Sequence, residues 1–179
     1  EEVSMKIALV EPRPPINVYF FLAKLPLLGN LFLGTILKNQ GHDVKVFKED
    51  ILRAYNEKTD ELHPDLLDAD VVGITAISHT ANRAYRIADA VKRRNPRARV
   101  IMGGPHPSAL PEEALQHADQ VCVGEGENVV AGMVEGRNTA DIVRGTRVDM
   151  DTLPILDLSI LQGYRYRHGK INMVHAPIM

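Results

Sequence analysis

The chain has 179 residues, is 45% hydrophobic and 25% charged, and carries a formal net charge of −2. That size suits one domain plus a modest extension, and the near-neutral balance argues against binding along a nucleic-acid backbone, which needs a dense basic surface. No apolar stretch approaches the roughly 20 residues of a membrane span, and the lone Cys122 excludes an internal disulfide framework, an unaided iron–sulfur cluster or a structural zinc, so a reducing cytoplasm is the expected location.

In chain order, the acidic start EEVSMKIALV lacks the pattern of a signal peptide and runs straight into a first strand, Lys6 to Val10. The segment EPRPPINVYFFLAKLPLLG is long for a loop in an α/β domain, and its apolar residues call for cover from a ligand or another domain. From about Leu27 to Asn39, Leu28, Leu31, Phe32, Thr35 and Ile36 recur at helical spacing, with Gly41 as the stop. HDVKVF alternates as a second strand, and EDILRAYNEKTDELHPDLLDA reads as polar and partly helical, broken at Pro64. Residues 70–78, DVVGITAIS, are almost wholly apolar or β-branched, as in a strand covered on both faces. Thr80 to Arg94 predicts a helix with Ala84, Ile87, Ala88 and Val91 on one stripe, and its basic end, VKRRNPRAR, reads as a solvated helix terminus. Arg99 to Met102 is a fourth strand, Pro111 to His117 a short helix, DQVCVG a fifth strand with Cys122 an inert core thiol, GEGENVVAGMVEG a turn into a further helix, and DIVRG a short edge strand.

Alternating strands and helices imply right-handed βαβ units. The expected fold class is α/β: a flavodoxin-like, three-layer Rossmann-type domain over 5–145, its open parallel sheet of about five strands in the order 2-1-3-4-5. An irregular C-terminal extension, 146–179, lacks that rhythm and reads as a linker; KINMVHAPIM looks like a strand whose partners lie elsewhere. The hydrophobic end predicts that a further domain is missing.

Three strands end in small or polar residues, TAISHTA, GGPHPSA and GEGEN, all on one edge of such a sheet. Together they predict a backbone-lined trough, with hydroxyls from Thr75, Ser78, Thr80 and Ser108. Paired glycines let a ligand approach the main chain, although α/β domains also turn at glycine and cap helices with Ser and Thr. No P-loop and no G-x-G-x-x-G is present, and Glu125 and Glu127 suit amide or hydroxyl donors better than a pyrophosphate. No acidic cluster of a response regulator, G-x-S-x-G elbow or H-E-x-x-H metal spacing occurs.

The ordered blocks MKIALVEPRP, LPLLGNLFLGTILKNQGHDVKVF, ADVVGITAISHTANRAYRIADAVKRRNP, VIMGGPHPSALPEEAL, ADQVCVGEGENVV and DTLPILDLSIL resemble the N-terminal cobalamin-binding domain of B12-dependent radical SAM proteins. That group includes anaerobic magnesium-protoporphyrin IX monomethyl ester cyclases and radical SAM methyltransferases. The resemblance implies a corrin lying flat on the carboxyl edge of the sheet, its nucleotide tail entering beside the sheet. Ser78, His79 and Thr80, with Gly103 and Gly104, would pass close to the tail; Gly124, Glu125, Gly126 and Glu127 would touch the corrin rim; His106 would make a polar contact. Glycine is then expected where a side chain would displace the ligand. The cobalt-ligating D-x-H-x-x-G of other B12 domains is absent: the matching loop reads Glu11-Pro12-Arg13-Pro14-Pro15-Ile16, leaving Arg13 as a candidate cofactor contact and no imidazole donor. The resemblance also implies a missing radical SAM domain carrying a [4Fe-4S] cluster and S-adenosylmethionine, without which this piece turns over no substrate. The rival expectation is a flavodoxin-like regulatory or interaction domain that binds no corrinoid.

Overall fold

In the computed structural model, which describes residues 4–15 and 28–163, the apolar runs read from the sequence become parallel strands. In chain order the strands are β1 (Lys6–Glu11), β2 (Asp43–Lys48), β3 (Tyr55–Asn56), β4 (Glu61–Leu62), β5 (Val71–Thr75), β6 (Arg99–Gly103), β7 (Gln120–Val123) and β8 (Ile142–Arg144). Six of them form one sheet in the order β2-β1-β5-β6-β7-β8, and β3 and β4 make a small separate hairpin. The expected 2-1-3-4-5 core is therefore present, and DIVRG adds a sixth strand at its edge, paired in parallel with β7. The helices are α1 (Leu28–Asn39), α2 (Pro64–Leu67), α3 (Ala81–Arg94), α4 (Pro105–Ala109), α5 (Pro111–Ala114) and α6 (Val130–Val134).

Alternation along each strand divides the core into two layers. Ala8, Val10, Val72, Ile74, Val100 and Met102 face α3, whose stripe of Ala84, Ile87, Ala88 and Val91 is fully buried. Ile7, Leu9, Val71, Ile101 and Cys122 face the opposite way, beneath Leu31 and Leu37 of α1 and Met133 of α6. The basic end of α3 is tied to acids: Lys92 bonds Asp119, and Arg93 and Arg94 bond Asp60. No helix among the described residues is long and apolar enough to cross a membrane.

Three local readings change. Pro64 starts a helix instead of breaking one: it sits at the first helical position, where its missing N–H costs nothing, and His63 Nδ1 accepts from Asp65 N. The strand expected over 70–78 stops at Thr75, because Ala76 leaves the ladder to exchange bonds with Gly103 O and His106 N. The helix expected over 111–117 is only Pro111–Ala114, and Pro105 opens a separate turn of helix before it. The aromatic loop after Pro15 and the KINMVHAPIM segment lie outside the described residues.

The first part of the extension folds back on the domain. Two 3-10 turns, Met150–Thr152 and Leu158–Ile160, lead to Leu161, which bridges to Val46 of β2. Lys38 of α1 bonds Asp157 at 2.6 Å and Ser159 at 3.0 Å, and these bonds hold the Asp157 carboxyl down at about 2. Ile160 and Leu161 are buried against α1, where the absence of a side chain at Gly34 admits the Ile160 methyl: a Cβ there would lie 2.7 Å from Ile160 Cδ1.

Burial of a side chain such as Ile160 is worth about 1.5–3 kcal/mol, an exposed ion pair about 0–1. The apolar contacts, and not the Lys38–Asp157 pair, should therefore hold this strap. Urea unfolding is expected to show Lys38→Ala costing less than about 1 kcal/mol and Ile160→Ala about 2–4. Equal costs would reverse that assignment.

Candidate functional site

All six strands run in parallel, so the loops after β5, β6 and β7 emerge on one edge, as the sequence implied. Below that edge a cavity of about 410 Å³ opens between α1 and α6 and runs down one face of the sheet. Leu9, Gly73, Ile101 and Cys122 form its floor, Asn30 and Leu33 of α1 one wall, and Val130, Met133 and Val134 of α6 the other. Its mouth is main chain: Thr75, Gly103, Gly104 and the run Gly124 to Glu127. The floor is open because β5 carries glycine at its centre. A Cβ on Gly73 would sit 2.7 Å from Leu9 Cδ2, so any other residue would push that leucine into the slot.

Of the residues expected at the site, Thr75, Gly103, Gly104, Gly124, Glu125, Gly126 and Glu127 are brought together at this mouth. Arg13, Ser78, His79, Thr80 and His106 are not among its lining residues. Thr80 closes its own turn, its Oγ1 accepting from Ile77 N at 3.2 Å. His106 is buried on the α3 side of the sheet, 3.0 Å from Tyr85 Oη and 3.3 Å from Ser78 Oγ. Arg13 donates its backbone N–H to Glu49 Oε2 at the β1–β2 corner. His79 is exposed.

The glycines divide into two kinds. Gly104 has φ +96°, and a Cβ would meet Thr75 Oγ1 at 2.6 Å; Gly124 has φ +85°, and a Cβ would meet Gly145 O at 2.9 Å. The chain's own conformation therefore requires glycine at both positions, and their presence is not by itself a sign of a ligand. Gly103 is the other kind: a Cβ there makes only an ordinary 3.5 Å contact with Cys122 Cβ. Gly145 clamps the mouth from behind, where a Cβ would fall 1.6 Å from Glu125 O. Ser108 Oγ accepts from Gly124 N at 3.0 Å, and Glu125 accepts from Val148 N, so the GEGE turn is held at both ends.

The two ends of this edge differ in charge. At the β1–β2 corner Lys48 donates to Glu11 at 2.7 Å, and Arg83 grips both oxygens of Glu49 at 2.7 Å. The slot, by contrast, is lined by no lysine, arginine or histidine, and its only charges among the described residues are Glu125 and Glu127. Asn30 is buried in its wall, 6% exposed, and its Nδ2 has no hydrogen-bond partner. No group of three or more His, Cys, Asp or Glu among the described residues is arranged to hold a metal ion. Cys122 on the floor is buried, and burial, with the nearby Glu127 charge, pushes its thiol up to about 11. Sequence reasoning missed the slot's lateral walls. The signal for the floor was the glycine inside VVGIT; none marked Asn30.

Comparisons with known proteins agree with this fold. A family model described as "B12 binding domain" matches residues 21–134. Bacteriochlorophyllide d C-8(2)-methyltransferase of Chlorobaculum tepidum is 48% identical over 62 residues, covering 35% of this chain and 13% of that protein. Anaerobic magnesium-protoporphyrin IX monomethyl ester cyclase of Rubrivivax gelatinosus is 29% identical over 117 residues, 62% of this chain and 21% of that protein. The structure of the radical S-adenosylmethionine methyltransferase TsrM from Kitasatospora setae, with cobalamin and [4Fe-4S] cluster bound, superposes with a TM-score of 0.54 at 20% identity, covering 76% of this chain and 28% of that one. At that identity the likeness speaks for the fold. The chain spans 13% to 31% of the length of the curated relatives it matches.

A thiol held at about 11 is ionised to only about one part in a thousand at pH 8. Cys122 should therefore react with a disulfide reagent about a hundredfold more slowly than a free cysteine until urea unfolds the chain. The folded state retains this proton more tightly than the unfolded one. Its contribution to stability is thus full below the unfolded value near 9 and is lost as pH rises through about 11. Cys122→Ala should flatten that part of the alkaline slope in pH-dependent denaturation; a free-thiol reaction rate in the native chain would contradict the assignment.

Proposed function

Since the chain belongs to the B12-binding domain family, we propose that it is the cobalamin-carrying module of a larger radical S-adenosylmethionine enzyme. The observation that carries the reading is the slot itself: a lateral, apolar, ligand-sized cavity whose mouth is bare main chain on the carboxyl edge of a parallel sheet. Such edges are where open α/β sheets bind ligands, and about 410 Å³ lies within the range of small-molecule sites. Whole cobalamin is larger than the slot. The fit is for its nucleotide tail in the slot, with Gly103, Gly104 and the Gly124 to Glu127 turn supporting the macrocycle outside.

The residues present suit that division. A heteroaromatic base is accommodated by Leu9, Ile101, Leu33 and Met133, which exclude water from the slot floor. The backbone at Gly103 allows close approach without disturbing the fold. Glu125 is turned toward Val148 N, which leaves Glu127 as the acidic group available to the amide donors on a corrin rim. When bound, cobalamin supplies a cobalt centre able to carry a methyl group. This chain would bind and orient it, and no histidine lines the slot among the described residues.

The names of the relatives place similar domains in methyltransferases and in a porphyrin ester cyclase. The proposed partner is accordingly a radical SAM domain that supplies the cluster and adenosylmethionine, in a cytoplasmic enzyme that transfers a methyl group or closes a porphyrin ring.

The test is direct. The purified chain is mixed with hydroxocobalamin, desalted, and its visible spectrum recorded. Corrin absorption should remain with the protein, and Gly103→Val should weaken binding by about tenfold or more with an unfolding free energy changed by less than about 1.5 kcal/mol. Passage of all corrin into the small-molecule fraction would favour the regulatory domain without corrinoid. Equal binding by Gly103→Val would remove Gly103 from the site.

A further inference from the structure

Asn30 is the one residue of the slot that the packing of the chain does not explain. It lies in the first turn of α1, is 6% exposed, lines the slot, and buries a side-chain N–H2 that meets no acceptor. A buried donor left without a partner is destabilising, and native proteins carry few of them. Among the described residues the walls it belongs to are otherwise apolar, with Leu28, Leu33, Met133 and Val134 among them. An apolar side chain there would make a better wall, so an amide is expected to have a ligand-side use.

We propose that Asn30 is the specificity determinant of the slot, donating from Nδ2 to a neutral acceptor nitrogen in the lower base of the corrinoid tail. This rests on the corrinoid reading above and deepens it. The electrostatics select the acceptor. Among the described residues the slot lining holds no lysine, arginine or histidine, so an anionic oxygen buried beside Asn30 would meet no counter-charge, and any phosphate of the tail belongs outside the slot. A heteroaromatic ring with one unprotonated nitrogen meets both demands: its faces suit the apolar walls and its nitrogen satisfies the orphaned donor. The benzimidazole of cobalamin has such a nitrogen whenever it is not bound to cobalt. A corrinoid with a phenolic lower base has none, and filling the slot with it would leave Asn30 unpaired. Sites built to hydrogen-bond a ligand reject analogues lacking the matching atom more strongly than apolar pockets reject small changes of shape.

The experiment compares three corrinoids, each titrated spectroscopically into the full chain: cobalamin, a phenolyl cobamide, and cobinamide, which lacks the nucleotide. The unsubstituted chain should bind cobalamin about tenfold or more tightly than the phenolyl form. Asn30→Leu should bring that ratio to about one, and its ligand-free unfolding midpoint should not fall, since it removes an unsatisfied donor. Asn30→Ala, which removes the donor without adding bulk, should lose selectivity in the same way if Asn30→Leu folds poorly. A selectivity ratio unchanged in both variants, or absent from the unsubstituted chain, would overturn the role of Asn30 while leaving corrinoid binding intact. Failure of all three corrinoids to bind the unsubstituted chain would instead overturn the corrinoid reading.

Discussion

The parallel register of β5 between β1 and β6 is the constraint on which the site depends. It pairs Leu9 with Gly73, Gly73 with Ile101, and Thr75 with Gly103. The first two pairs build the slot floor; the third places a hydroxyl and a bare backbone side by side at the mouth. A slip of one residue would turn the floor to the α3 side and put Val72 or Ile74 in its place. Such a slip is opposed by the whole core, because the same alternation buries Val10, Val72 and Met102 against α3. The site is thus held in place by interactions none of which touches a ligand.

The same edge treats charge in two ways, and the contrast separates structure from binding. Where β1 and β2 end, side chains are charged, buried and mutually paired, Glu11 with Lys48 and Glu49 with Arg83. Breaking such a pair by removing one partner leaves a buried charge uncompensated, so this corner resists change. Between α1 and α6 charge has been kept out of the floor and walls, which leaves a surface that is wetted poorly and gains by being covered. One edge therefore contains an anchored, charge-paired corner and an apolar-walled slot.

The sheet was legible because its signals are periodic. VVGIT and RVIM are apolar runs bounded by turn residues, and the ANRAYRIADAV stripe has helical spacing. Element ends were less so: the end at Thr75 depends on tertiary bonds of Ala76 to Gly103 and His106, and a proline such as Pro64 starts a helix as readily as it breaks one. The edge loops were located correctly as a group, but five candidates lie off the slot. His106 is the instructive one. GGPHPSA looks like a ligand loop, yet Pro105 starts a helical turn that carries the imidazole through the edge to Tyr85 on the opposite layer. Sequence order can place a residue at an edge but cannot tell which face of the sheet it will turn to.

Glycine shows the same limit in sharper form. Gly104, Gly124 and Gly145 would each collide with the chain's own backbone or hydroxyls if they gained a Cβ, so their presence is explained without any ligand. Gly103 would not, and Asn30 buries an amide donor that no group of the chain accepts from. Where a residue serves the fold, replacing it destabilises; where it serves a ligand, the empty fold is indifferent to it or improved without it. The slot of this domain is defined by that second group. In the proposed complex the corrinoid supplies the acceptor that Asn30 Nδ2 lacks, so binding satisfies a buried donor that the chain's own fold leaves unpaired.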